Sequence, residues 1–471
     1  MRNFPKFLFS LNFLYIVLIA AQVAAIVFLC LYIPAFMPLA LSYVVLWLVT
    51  AIAATVLFSR EGAPEVKCAW FVLITALPVA GALIYFLATV RRKPYGILDV
   101  KSATEHGLSA AANSLCGTAE TSYEAAKYFS SGAEFFNILT EEIAHAKKSV
   151  YMEFYIICRG HIFNSVMSAI ERAKENGAEI KIVLDGVGSA FKAGRRELKK
   201  LKAIGAEIKV FHRLTPLPLA KLNLRDHRKI VTVDGRVAFT GGFNLADEYA
   251  NIASPYGYWK DSGIAVYGGA AKIFEGMFLS VWNGKHKMDA PTDGGAHRCL
   301  PFYDCPSYRA FFEDACIHAL HSAKERVHIT TPYFCVSEKT AAALAFTAKR
   351  GVDVKIIIPH IPDKKLVFTI SKTFARTLTD SGVKFYEYTP GFMHAKSVIC
   401  DDAVFLGSYN FDFRSTHFNY ECGIMFRDRI TDEVERDFQD CLALSSELTE
   451  GKISHAKRFT RFILKLFAPL I

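Results

Sequence analysis

Between Phe7 and Ser59 the chain has not one Asp, Glu, Lys, Arg or His. So long an uncharged run is foreign to the surface of a soluble domain. It exceeds one membrane crossing but fits two helices of about 20 residues, broken near Pro34 to Pro38. A second uncharged run, Cys68 to Val90, predicts a third span, closed at the water interface by Arg91-Arg92-Lys93. Residues 1–93 therefore read as a multi-pass anchor of about three transmembrane helices in the cell membrane. The first span lacks the short apolar core and small-residue cleavage site of a removed signal, so the anchor is expected to be permanent. Arg2 and Lys6 favour a cytoplasmic start and residues 91–93 a cytoplasmic end, which three spans cannot both satisfy. The stronger second cluster favours the cytoplasmic side for the rest of the chain, the alternative being that one of the first two segments is re-entrant.

Close cysteine pairs are also missing. The eleven cysteines show no metal-type spacing and read as reduced, mostly buried thiols, with Cys400 a strand residue beside Asp401. Acidic residues are absent from 451–471, where Lys452, Lys457, Arg458, Arg461 and Lys465 accompany apolar residues at helical spacing. This basic amphipathic tail suits either an anionic lipid surface or packing on the domain with a solvated basic face. The net charge of +10 thus points to an anionic membrane, and not to nucleic acid. A hydrophobic content of 52% and an aromatic content of 13% agree with that.

What the chain does contain is a repeat. After a linker at 94–120, Ser149–Tyr155 reads as a strand, 163–176 as a helix and Gly177–Leu184 as the next strand. The order returns as Arg326–Phe334, 338–350 and Gly351–Ile358, and a third strand matches Gly205–Phe211 with Gly382–Glu387. This alternation predicts an α/β layered unit used twice, at 121–283 and 307–450, joined by a connector at 284–306.

Each half ends its core with one motif. His227-Arg-Lys229-Ile-Val-Thr-Val-Asp234 returns as His394-Ala-Lys396-Ser-Val-Ile-Cys-Asp401. Within a strand, His and Lys two residues apart share a face, so two halves packed with approximate twofold symmetry bring both pairs to one phosphate. One imidazole then attacks phosphorus while the other protonates the departing oxygen, and the lysines neutralise the non-bridging oxygens. Gly241-Gly242-Phe-Asn244 and Gly407-Ser408-Tyr-Asn410 follow, where small residues permit close approach and each asparagine amide can donate to phosphate. Six residues separate Asp234 from Gly241 but five separate Asp401 from Gly407, so the second hairpin is expected to be tighter by one. His161, His212, His328, His360 and His417 lack this spacing and read as structural or rim residues. Glu153 and Tyr155 are able to touch a head group, though strand packing is the simpler account of Tyr155.

These residues resemble the phospholipase D superfamily, whose signature is His-x-Lys, four residues, Asp, then Gly-Gly or Gly-Ser and Asn. Within it the chain is similar over nearly its whole length to the bacterial cardiolipin synthases. Phe239–Tyr249, Tyr258-Trp-Lys-Asp261, Thr331-Pro-Tyr-Phe334 and Asn410-Phe-Asp-Phe-Arg-Ser415 carry that likeness. The resemblance implies two phospholipase D-type α/β/α halves with a shared active site, behind the transmembrane helices. It implies transfer of a phosphatidyl group between two phosphatidylglycerols to give cardiolipin and glycerol, with no metal and no other cofactor. It further implies His227 as nucleophile, His394 as general acid, Asp261 orienting His227 and Glu421 orienting His394, with Asp234 and Asp401 bracing the fold. A hydrolytic phospholipase D, a transferase for another head group, a nuclease and a non-catalytic membrane scaffold are the rival readings.

Overall fold

The computed structural model describes residues 39–89, 95–101, 107–189, 195–213, 223–291, 297–306, 311–448 and 455–470, with Ala24 and Gly295. The first expected span and the Arg91-Arg92-Lys93 cluster lie outside these residues. The helical N-terminal region forms a compact unit with the C-terminal end of the chain, and the two halves of the repeat together form another.

In the first unit the helix Leu39–Ser59 is apolar on every side and leaves Tyr43, Trp47, Ile52 and Phe58 exposed. Among the described residues it is the one helix long and apolar enough to cross a membrane, over Leu41–Ser59. The expected third span is not one helix. Pro64–Ala76 and Pro78–Ala88 are separate helices that fold back on each other, with the Trp70 and Tyr85 rings edge to face at 5.4 Å. A continuous helix would hold those residues about 22 Å apart. Pro78 supplies no N–H and drives Leu77 out of the helical region, to φ −133° and ψ 75°. Gly81 lets the second helix close on the first, since a Cβ there would lie 2.6 Å from the Leu73 carbonyl oxygen. Arg60 Nη1 donates to Thr89 Oγ1 at 2.8 Å, tying the far end of the hairpin to the end of the long helix. The tail forms a helix, His455–Phe467, and a short turn whose Leu470 packs on the cluster of Ala53, Leu57, Trp70, Ile74 and Tyr85.

The second unit contains the repeat. In the first half the strand order is Ala126–Phe129, Gly263–Tyr267, Val237–Gly241, Ile230–Val233, Ser149–Phe154, Glu179–Asp185, Glu207–Phe211. The second half has the same order in His297–Asp304, Asn419–Phe426, Ala403–Gly407, Ser397–Cys400, Arg326–Thr330, Asp353–Pro359, Lys384–Tyr388, and adds Thr121–Tyr123 and Ser445–Glu447 at its edges. Successive side chains serve opposite layers. Val150, Met152 and Phe154 join the core under the helices Gly132–Ala144 and His161–Glu175, while Tyr151 stacks at 5.0 Å on Phe278 of the helix Gly269–Asn283.

Two expected loops are part of this fabric. Within the linker at 94–120, Ile97–Lys101 pairs in parallel with Lys285–Asp289 of the connector, and His297–Asp304 of that connector opens the second sheet. Short lengths, Pro301 and charge at alternate positions hid these strands from a periodicity reading. The hairpins differ as their spacing predicts. Val233 pairs with Val237 across Asp234, Gly235 and Arg236, whereas Cys400 pairs with Ala403 across Asp401 and Asp402. Because the turn absorbs the missing residue, Leu245 and Phe411, each following its asparagine, occupy matching bridges, to Ile157 and Phe334.

Candidate active site

Each catalytic-motif histidine is placed by the opposite half. Arg225–Asp226 runs parallel to Asn419–Tyr420, and the His227 N–H donates to the Tyr420 carbonyl at 2.9 Å. Gly391–Met393 runs parallel to Tyr258–Lys260, and the His394 N–H donates to the Lys260 carbonyl at 2.6 Å. The next residue on each partner strand is a buried carboxylate. His227 Nδ1 therefore lies 2.9 Å from both Glu421 oxygens, and His394 Nδ1 lies 2.5 Å from Asp261 Oδ2. The pairing expected from sequence, Asp261 with His227 and Glu421 with His394, is thus exchanged. The resemblance implied that each carboxylate serves the histidine of its own half, whereas strand register delivers it to the other.

A carboxylate can only accept, so each Nδ1 carries the proton and each Nε2 presents its lone pair. The carboxylates are themselves held, and unequally. Glu421 accepts from the Ser408 and Ser415 hydroxyls at 2.5 and 2.8 Å and from Asn419 Nδ2 at 3.1 Å. Asp261 accepts from the Ser262 N–H at 2.8 Å and the Trp259 indole at 3.4 Å. This explains the Gly-Gly and Gly-Ser difference. A Cβ on Gly242 would collide with Asp261 Oδ1, while Ser408 at the matching position uses its hydroxyl on Glu421.

Both lysines are buried, and each Nζ bonds the carbonyl oxygen of its own motif histidine. Burial lowers Lys229 to about 7 and Lys396 to about 8, against the pull of Glu421 and Asp261. Burial likewise lowers His227 to about 4 and His394 to about 3. The Lys396 charge adds to the depression of His227, and the Lys229 charge to that of His394, which places both motifs in one electrostatic site. Burial opposes ionisation of Glu421 and Asp261, yet the facing histidines and lysines hold both below the usual carboxylate range. Such a site is built for an anion. A phosphate charge about 4 Å away contributes about 4 kcal/mol at an effective dielectric of about 20, or about three pKa units, enough to offset most of the effect of burial on an imidazole.

Asp234 and Asp401 lie outside this cluster. Both sit in left-handed turns, at φ 56° and 49°. Asp234 accepts the N–H groups of Lys147, Lys148 and Ser149, and Asp401 those of Lys324, Glu325 and Arg326. Each carboxylate thereby pins its hairpin to the start of the neighbouring strand. Asn244 and Asn410 each have a protein partner as well. Asn244 Nδ2 donates to the Tyr249 hydroxyl at 2.6 Å and its Oδ1 accepts from the Ile156 N–H, while the Asn410 side chain hydrogen-bonds Asp412.

Tyr155 packs edge-on against the His227 ring at 5.1 Å, and Tyr249 against His394 at 5.4 Å. Glu153 is buried 2.8 Å from Arg228 Nε. His328 is structural, bonded to Glu435 at 2.9 Å and stacked on Phe438. Ser408, Ser415, Tyr249 and Trp259 went unassigned from sequence. Only their position inside the strings around the motifs hinted at them. Among the described residues no group of three or more His, Cys, Asp or Glu is arranged to hold a metal ion.

The lysine values set a pH dependence. The ammonium forms bind phosphate and exist below about 7 and about 8, so kcat/KM for a phosphodiester is expected to fall as pH rises through that window. Lys229→Arg and Lys396→Arg, if active, should flatten the fall; a wild-type profile level from about pH 7 to about pH 9 would contradict the assignment.

The comparisons with known proteins bear on these residues. A family model described as "Cardiolipin synthase, PLD-like domain" matches residues 139–254 and 316–442, one block in each half. An uncharacterized protein of Streptococcus mutans is 36% identical over 359 residues, covering 73% of this chain and 78% of its own. A cardiolipin synthase of Clostridium perfringens is 29% identical over 454 residues, covering 87% and 94%. In fold, the crystal structure of a phosphatidylserine synthase from Haemophilus influenzae superposes with a TM-score of 0.59 at 14% identity, over 77% of this chain and 100% of that one. The chain belongs to the phospholipase D-like family of cardiolipin synthase domains and is, by that membership, a phosphatidyltransferase enzyme.

Proposed function

We propose that the chain makes cardiolipin from two molecules of phosphatidylglycerol through a phosphohistidine. Binding of the phosphodiester lets His394 take up a proton at Nε2; His227 Nε2 then attacks phosphorus, the P–N bond forms as the P–O bond to glycerol breaks, and His394 gives that proton to the departing oxygen. A hydroxyl of the second phosphatidylglycerol then loses its proton to His394 and bonds to phosphorus as the P–N bond breaks. Glycerol and cardiolipin are the products. Lys229 and Lys396 neutralise the non-bridging oxygens. Asp234, Asp401, Asn244 and Asn410 hold the loops, and the scheme calls for neither a metal nor a nucleotide.

The observation that carries this reading is the pair of buried imidazoles, each held at Nδ1 by the carboxylate of the other half, with two buried lysines in the same field. Purified protein in vesicles of phosphatidylglycerol alone should release cardiolipin and glycerol; phosphatidic acid without cardiolipin would mean that water is the acceptor and the enzyme a hydrolase. His227→Ala and His394→Ala should each lower turnover by about a thousandfold.

The hairpin supports a two-crossing anchor. Pro64–Ala88 returns to the side it left, because Arg60 bonds Thr89, so the stretch that follows shares a side with the Ser59 end of the long helix. If the uncharged run before residue 34 crosses once, then Arg2, Lys6 and residues 91–93 all fall on the cytoplasmic side and the conflict between the charge clusters disappears. Glu61→Cys and Thr89→Cys should both be labelled by a membrane-impermeant maleimide from that one side. Labelling from opposite sides would overturn the hairpin topology.

A further inference from the structure

We propose that Tyr333, Asp363 and Lys364 form the acceptor-recognition clamp of the site, Asp363 taking a hydroxyl of the incoming glycerol head group and Lys364 its phosphate. This rests on the transfer reaction proposed above. The Thr331-Pro-Tyr-Phe334 string finds no part in the catalytic chemistry, yet Tyr333 stands one ring from His394, with Phe392 between them. Its hydroxyl donates to Asp363 Oδ2 at 2.5 Å, and Lys364 Nζ lies 2.8 Å from that hydroxyl and 2.6 Å from the same carboxylate oxygen. Lys364 also lies over the Tyr333 ring, 5.0 Å from its centre. Both contacts fall on Oδ2, which leaves Oδ1 for a ligand.

The clamp stands on the His394 side. Tyr333 packs on Phe392 at 6.3 Å, and Phe392 on His394 at 5.7 Å. The Asp363 charge reaches Lys396 and Tyr249, the latter itself against His394. At the matching place in the first half, four residues after Asp185, stands Ser189, buried with its hydroxyl donating to the Tyr155 carbonyl at 3.0 Å. Among the described residues, the carboxylate at this place belongs to the second half. Asp363 has a side chain 14% exposed, and Lys364 one 60% exposed.

The acceptor's chemistry fits this pair. A glycerol head group carries two neighbouring hydroxyls and a phosphodiester on its third carbon. With the secondary hydroxyl donating to Asp363 Oδ1, the primary oxygen is presented to phosphorus, gives its proton to His394 and forms the P–O bond as the P–N bond to His227 breaks. Lys364, at the mouth, meets the acceptor's phosphate. Water and simple alcohols have no second hydroxyl and gain nothing from the clamp.

The test measures partition of the phosphohistidine between acceptors. Wild type, Asp363→Asn and Tyr333→Phe are given phosphatidylglycerol vesicles with and without propan-1-ol, and cardiolipin, phosphatidic acid, phosphatidylpropanol and released glycerol are measured. Asp363→Asn should lower the ratio of cardiolipin to phosphatidylpropanol by about tenfold, the scale of losing one charge-assisted hydrogen bond. With propan-1-ol present, glycerol release should fall less than cardiolipin formation does, and Tyr333→Phe should shift the ratio in the same direction. An unchanged ratio in both variants overturns the clamp, as does loss of every product in both, which would place these residues in the chemistry or the fold. Wild type that forms no cardiolipin would instead refute the transfer reaction itself.

Discussion

The site depends on two hydrogen bonds that cross between the halves, Glu421 to His227 and Asp261 to His394. Each is fixed by a two- or three-residue parallel pairing between the strand leading into a histidine and the strand leading into the opposite carboxylate. Neither half alone completes a charged pair. A buried imidazole without its carboxylate would lose the partner that sets its tautomer, and a buried carboxylate without its imidazole would be an unpaired charge costing several kcal/mol. Assembly of the two halves and assembly of the active site are therefore the same event.

The same crossing accounts for the ionisation of the site. Two imidazoles and two ammonium groups are buried together, so like charges depress one another's protonated forms, and nearby carboxylates, chiefly Glu421 and Asp261, compensate. The resting state has neutral imidazoles and lysines poised near neutral pH. A phosphodiester supplies the missing negative charge, strengthens both lysines and lets one imidazole take the proton it must later give away. The support around the carboxylates is not symmetric: Glu421 rests on two serine hydroxyls, Asp261 on an indole and a backbone N–H. That inequality, with the Tyr333 and Asp363 pair on the His394 side, gives the two histidines different surroundings.

Much of this was legible from the sequence, for identifiable reasons. The α/β order of both halves could be read because apolar alternation and glycine punctuation repeat at matched positions, as in Gly177–Leu184 and Gly351–Ile358. The one-residue difference between the hairpins was visible as spacing and resides in the turn. The exchange of Asp261 and Glu421 was not legible, since composition and spacing say nothing about which half a strand pairs with. Asn244 and Asn410 carry amides suited to phosphate, and spacing does not reveal that they also have local partners in Tyr249 and Asp412. The break at Leu77 escaped a hydropathy reading because Pro78 and Gly81 lie inside an otherwise uninterrupted apolar run.

The crossed pairs are tested most directly by NMR of the protein labelled with ¹⁵N-histidine, following the Nδ1–H protons of His227 and His394, assigned through His227→Asn and His394→Asn. Glu421→Gln should move the His227 resonance upfield and leave that of His394 in place, and Asp261→Asn should do the reverse. If Glu421→Gln instead moves His394 while His227 stays unchanged, each carboxylate serves its own half and the account is wrong.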